Sequence, residues 1–261
     1  MLIGSGSGRA HAVPQYSLDG RKIAFQSNRS GSEEVWTCDA DGSDCLQLTS
    51  FGGPVAGTPR WSPDSQSIAF DCRVTGQPAV YVAAADGGTP RLLAADAYVP
   101  SWSRDSRWIY FASGRSGRME VWKMPAAGGP AAQVTRNGGG AAFESADGKY
   151  LYYDKEPSLG NAKASSDSLY RMPVEGGQQV EIAPRLQCWA CFGVTAKGVY
   201  FMPDTRTIRF LAPGNGRATT LATLEKNVDW RGFGVSPDDR FVVWGQDDRW
   251  SSELMLADGF R

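Results

Sequence analysis

Histidine is almost missing from this chain: His11 is the single one in 261 residues. That excludes a zinc site built on two histidines, a His-rich metal centre and a HExxH metallopeptidase motif. A Ser-His-Asp triad would have to use His11, which sits in a Gly/Ala-rich N-terminal stretch with nothing to hold a base in place. Long apolar runs are missing too. None approaches the roughly eighteen residues that a membrane-spanning helix needs. A basic excess is also absent, with 27 Lys and Arg against 28 Asp and Glu, which argues against a nucleic-acid partner. The N-terminus, "MLIGSGSGRAHAVP", lacks the basic region followed by a long apolar region that marks a signal peptide.

Cysteine is sparse and odd in number. Five residues cannot all pair within a monomer, and they form no dense disulfide framework, so the redox compartment stays open. Cys38 and Cys45 flank "DADGSD", where the two sides of a hairpin would face each other. Cys188 and Cys191 form a CxxC, and Cys72 stands alone. A redox CxxC needs a helix N-terminus to stabilise its thiolate, and a zinc half-site needs a second pair nearby. Neither context is evident around "CWAC", which reads as ordinary packing or a mobile loop.

What the chain does contain is repetition. Six copies of one phrase are anchored on Ser17 ("VPQYSLDGRKIAF"), Ser62 ("TPRWSPDSQSIAF"), Ser103 ("VPSWSRDSRWIYF"), Ser145 ("AAFESADGKYLYY"), Thr195 ("CFGVTAKGVYF") and Ser236 ("GFGVSPDDRFVVW"). The intervals are 45, 41, 42, 50 and 41 residues. Each copy is followed by a second phrase of the type "EVWTCDADGS" and most by a third of the type "LQLTS". Short alternating segments bounded by Gly, Asp and Pro are β-strands. Each unit therefore holds four strands, a to d, with tight turns at "SPDS" between a and b and at "ADGG" between c and d. Four antiparallel strands per forty-odd residues is the pattern of a β-propeller blade. A blade cannot bury both faces alone, so the large residues of strands b and c, such as Phe25, Trp36, Phe70 and Phe111, are expected between blades.

The expected fold is all-β: one six-bladed propeller domain over 1–261, with blades at approximately 10–50, 57–95, 98–136, 140–184, 189–224 and 230–261. The last copy ends after strand c. "LIGSG" places residues 2–4 at 13 to 15 residues before Ser17, where a strand d belongs. It is expected to pair with residues 253–258, complete the sixth blade as strand 1–6 and close the ring.

"YSLDGRKIAFQSNRSGSEEVW" and "WSRDSRWIYFASGRSGRMEVW" resemble the PD40-type, WD40-like repeats of TolB-type propellers. The resemblance is strong in the first three copies and weaker afterwards: Glu144 stands where Trp61 and Trp102 sit, and Lys197 where the other copies have Asp. It implies a binding or scaffold module of a bacterial regulatory or envelope protein, with an extracytoplasmic location favoured. The fold by itself does not name an activity.

Candidate binding residues come from the loops. The b–c and d–a connections are longer and more varied than the a–b and c–d turns, and share one face of a propeller. That face is where ligand recognition is expected, including the long 154–168 loop. Arg29 and Arg115 recur in "NRSG" and "GRSG"; their guanidinium forks suit anions, or they pin their loops to a neighbour. Arg60 and Ser101 are placed near the channel, with Gln15, Ala142, Gly193 and Gly234 at the same register. Trp189, in "CWAC", and Trp250, in the last b–c loop, complete the set. The five equivalent Asp residues read as turn formers. No catalytic residue, metal ligand or cofactor is expected. The expected partner is a protein or small-molecule ligand bound by a monomer, without nucleic-acid binding or membrane insertion. The alternative is a propeller hydrolase or lyase acting at the channel mouth.

Overall fold

The computed structural model describes residues 2–3, 11–155, 167–214, 216–228, 232–248 and 251–258. The chain begins with β1 (Leu2–Ile3). The first copy gives β2 (His11–Tyr16), β3 (Lys22–Ser27), β4 (Glu34–Asp39) and β5 (Leu46–Gln47). The second gives β6 (Ala56–Trp61), β7 (Ser67–Cys72), β8 (Ala79–Ala84) and β9 (Arg91–Ala95). The third gives β10 (Tyr98–Trp102), β11 (Trp108–Ser113), β12 (Glu120–Pro125) and β13 (Ala132–Gln133). β14 (Ala142–Glu144), β15 (Tyr150–Lys155), β16 (Asp167–Pro173) and β17 (Val180–Leu186) form the fourth. β18 (Phe192–Val194), β19 (Val199–Phe201), β20 (Thr207–Leu211) and β21 (Thr219–Thr223) form the fifth. β22 (Phe233–Val235), β23 (Phe241–Asp248) and β24 (Ser251–Asp258) end the chain.

Each of the first five copies folds into its own four-stranded antiparallel sheet from one continuous stretch of chain. The remaining sheet is composite, in the order β1-β24-β23-β22. Its outer pair is antiparallel, with Leu2 opposite Met255 and Ile3 opposite Leu254. The first strand of each sheet packs against the first strand of the next, and β22 packs against β2.

The turn phrase works as a local device. The Ser62 hydroxyl donates to Asp64 at 2.5 Å and accepts from the Ser67 backbone N–H at 2.9 Å, while Asp64 accepts from the Gln66 N–H at 3.0 Å. The same bonds recur at Ser17/Asp19, Ser103/Asp105, Ser145/Asp147 and Ser236/Asp238. The repeated Asp thus satisfies turn N–H groups. In the fifth copy Lys197 replaces it: the Lys197 N–H donates to the Thr195 hydroxyl at 3.3 Å, and that hydroxyl donates to the Gly198 carbonyl at 3.4 Å.

The core lies between sheets. Ala24 and Val35 of the first sheet pack with Trp61, Ile68 and Phe70 of the second. Ala69 and Val80 meet Ile109 and Phe111 of the third. Tyr16, Ile23 and Phe25 meet Val243 of the composite sheet. Phe25, Phe70 and Ile109 are wholly buried. The aromatics of strands b and c therefore fill the seams that stacked sheets leave.

Candidate functional site: the mouth of the central channel

A backbone irregularity sets which side chains face the axis. Val13, Thr58 and Val99 have φ of +49°, +51° and +47°. Each stands four residues before its Ser anchor, and at each the pairing with the following strand slips. Positive φ is costly for β-branched residues, and a bulge re-aims the side chains beyond it. After these bulges Gln15 stands level with Ala24, Arg60 with Ala69 and Ser101 with Tyr110. In the fourth sheet the level residue is Phe143, opposite Tyr152, with Gly193 and Gly234 in the last two. The expected Ala142 is therefore one residue off, because Glu144 directly precedes Ser145 just as Trp61 precedes Ser62.

These first strands surround a cavity of about 430 Å³. Its wall carries Gln15, Arg60, Ser101 and Phe143, and its rim the a–b turn residues Leu18, Pro63, Arg104, Ala146, Ala196 and Pro237. The cavity therefore sits at the short-turn end of the channel, not at the end bearing the long b–c and d–a loops. Short turns leave the inner strands uncovered, so concavity appears there.

Arg60 dominates the wall. It is only 6% exposed. Its Nη1 donates to the Pro59 carbonyl oxygen at 2.9 Å, and its guanidinium carbon lies 4.9 Å from the Phe143 ring centroid. Burial lowers its pKa to about 10, opposed by the Asp71 charge. Asp71 is not an ion-pair partner within 4.0 Å. It accepts from the Thr58 hydroxyl at 2.7 Å and the Val99 N–H at 2.8 Å, and burial raises its pKa.

A ladder joins neighbouring sheets around the mouth. The Trp61 indole N–H donates to the Gln15 carbonyl at 3.2 Å, and the Trp102 indole N–H to the Arg60 carbonyl at 3.1 Å. Ser101 donates to the Ala142 carbonyl. Glu144, at the Trp position of the fourth sheet, reverses the polarity. Its carboxylate accepts from the Tyr110 hydroxyl at 2.6 Å and the Arg104 N–H at 2.7 Å, both in the third sheet. Burial lowers the Arg104 pKa, opposed by Glu144.

Arg60 and Ser101 thus meet at the mouth, and the other expected residues do not join them. Arg29 binds Ser27 through its backbone N–H and Nε and stacks on the cross-strand pair Phe25 and Trp36, 4.9 Å from each ring. Arg115 donates to Ser113 at 2.8 Å and the Ala95 carbonyl at 2.7 Å, over Phe111 and Trp122. The two recurring arginines do the same structural work in two sheets. Trp189 is half-buried in the core between the fourth and fifth sheets. Trp250 and residues 156–166 of the long loop lie outside the described residues.

A buried glutamate in each of two copies organises the opposite end. Glu34 accepts from the Thr49 hydroxyl at 2.6 Å and from the N–H groups of Phe51 and Gly52 at 2.7 and 3.0 Å. Glu120 accepts from Thr135 at 2.6 Å and from the Gly138 N–H in the same way. The signal was in the repeats: "EVW" and a Thr some fifteen residues later occur together in the first and third copies. Cys38 is bonded to Cys45 and Cys188 to Cys191, leaving Cys72 free and buried. "CWAC" is therefore a disulfide-closed turn, whose Ala190 N–H donates to Asp154 at 2.7 Å. Among the described residues, no three His, Cys, Asp or Glu side chains converge as a metal site.

A family model described as the TolB beta propeller domain, PD40, matches residues 13–172. No curated protein sequence matches the chain. Among solved structures, TolB from Acinetobacter baumannii aligns with a TM-score of 0.71 at 18% identity, over 98% of this chain and 62% of that one. A putative TolB from Agrobacterium tumefaciens gives 0.58 at 21% identity, over 64% and 62%. An oligogalacturonate lyase in complex with manganese gives 0.60 at 13% identity, over 96% and 90%. At these identities the likeness shows the propeller of four-stranded antiparallel blades and nothing finer. This chain covers 62% of the length of each TolB structure.

Proposed function

This chain belongs to the TolB β-propeller family of PD40 repeats, and on that premise we propose that it is a binding propeller whose protein or small-molecule ligand seats in the channel mouth. The observation that carries this reading is the mouth itself: a cavity of about 430 Å³ with half-buried aromatic walls and a buried guanidinium. Binding sites combine apolar walls with a few polar groups in this way. Glu144 is the carboxylate lining that cavity. Both its oxygens are engaged by Tyr110 and Arg104, which supports a structural rather than an acid–base role.

The same reading makes the fold a six-bladed ring in which β1 closes the composite blade. The β1–β24 pairing and the packing of β22 on β2 support it. The two disulfides fit an oxidising compartment outside the cytoplasm.

A thermal-shift screen against peptides, sugars, nucleotides and metal ions tests the binding reading when run beside Ala146→Trp. Ala146 is an exposed rim residue, so the large side chain obstructs the mouth without entering the core. Ligands that stabilise the wild type should lose their effect on A146W. An undiminished effect places binding elsewhere.

A further inference from the structure

Arg60 is a charged side chain more than nine-tenths buried, yet its fork is mostly unused. An arginine carries five N–H donors. Among the described residues its hydrogen bond runs from Nη1 to the Pro59 carbonyl, and it has no carboxylate within ion-pair distance. The remaining N–H groups belong to a side chain that lines the cavity. Among the described residues its charge is offset only by Asp71, beyond ion-pair distance, and by the Phe143 ring; a buried charge so weakly paired is costly, and the cost falls when an anion arrives.

The charge of the lining sets what that anion can be. Arg60 and Arg104 give two positive charges and Glu144 one negative, 2 − 1 = +1. The Arg104 guanidinium is directed to the Ser145 and Glu144 carbonyls, which leaves Arg60 as the free fork. The walls beside it, Trp102 and Phe143, are half-buried and aromatic.

Resting on the reading of the mouth as the ligand site, we propose that it recognises a free monocarboxylate, held as a two-pronged pair on Arg60, with the ligand's apolar body against Trp102 and Phe143. Planar carboxylates match the guanidinium fork. A single fork with a net charge of +1 suits a monoanion better than a phosphate dianion. The carboxylate can come from a small acid or from the C-terminus of a peptide.

The test is a titration of the full chain followed by NMR at the Arg60 Nε–Hε and Trp102 indole resonances. The probes are benzoate and benzamide, the tripeptide Ala-Ala-Phe and its C-terminal amide, and inorganic phosphate. At least one acid should shift both resonances and saturate, with its amide binding at least tenfold more weakly. Benzoate alone marks a small-acid site, and Ala-Ala-Phe alone marks a chain terminus. Arg60→Gln should lose the acid response at least tenfold, and Arg60→Lys should retain part of it. The acid–amide comparison on wild type stands even if R60Q fails to fold. Equal binding of acid and amide, tighter binding of phosphate than of either acid, or an unimpaired R60Q overturns the carboxylate assignment. If the Trp102 indole still shifts in those cases, the mouth remains the ligand site. Silence of both resonances to every probe removes the assignment and counts against the mouth itself.

Discussion

The Arg60 guanidinium stacks on the Phe143 ring at 4.9 Å, although β6 and β14 belong to sheets that have a third sheet between them. The side chain therefore reaches across the channel past β10. A cation over an aromatic face contributes about 0.5–2 kcal/mol, with the larger value for desolvated pairs. A double-mutant cycle of Arg60→Met and Phe143→Leu, read by urea unfolding, should return a coupling of that size. Additive effects would mean that the two side chains merely share a cavity.

Glu34 and Glu120 hold the d–a connections of their blades from buried positions. Glu34→Ala strands the N–H groups of Phe51 and Gly52 and the Thr49 hydroxyl. Leaving buried donors unpaired costs about 1–3 kcal/mol. The expected result is a loss in that range by urea denaturation, with Glu120→Ala behaving alike. Hydrogen exchange should quicken first at Phe51 and Gly52 in the Glu34 variant.

The turn aspartates predict a pH dependence of defined sign. The Ser103 hydroxyl, and after it the Arg107 N–H, hold the Asp105 carboxyl at about 2, below its ordinary 3.8. A depressed carboxyl contributes stability that is present above the unfolded value and lost as pH falls through the folded one. Asp105 is a substantially exposed group, so the effect is about 1 kcal/mol or less. Asp105→Asn should be less stable than wild type at pH 6. The difference should shrink between pH 4 and pH 2. A difference that grows as pH falls contradicts the turn-former role.

The seam between the first and last sheets is tight. A Cβ at Gly234 would stand 2.6 Å from the Pro14 carbonyl oxygen. Gly234→Ala should therefore lower stability by about 1–3 kcal/mol, the usual cost of overpacking. Deleting residues 1–8, which removes the β1 partner of β24, should lower the melting temperature by several degrees or more and expose a strand edge. A truncated chain that melts with the full one would contradict closure by β1.

Strand spacing, hairpin turns and the turn role of Asp64 and its equivalents were legible because each is a local matter of alternation and turn chemistry. So was the β1–β24 pairing, from where "LIGSG" falls in the repeat. Four features were not legible. The positive φ at Val13, Thr58 and Val99 contradicts β-branched preference, so no local rule finds the bulges that aim Arg60 inward. The Cys188–Cys191 bond depends on a turn that no motif announces. Ligand recognition was expected among the long loops because loops carry function, and nothing local in the sequence announced the cavity that lies where the turns are too short to cover the inner strands. Arg60 lines the cavity, and its contact with Phe143 joins residues 83 positions apart in sequence and has no local signature.

Whether ligands enter at the short-turn mouth decides the rest, and a crystallographic fragment screen on the full chain answers it. Fragment density should cluster between Arg60, Trp102 and Phe143, with acids over-represented among the hits. Fragments gathered on the b–c and d–a loops, with the mouth holding only solvent, would contradict entry at the mouth.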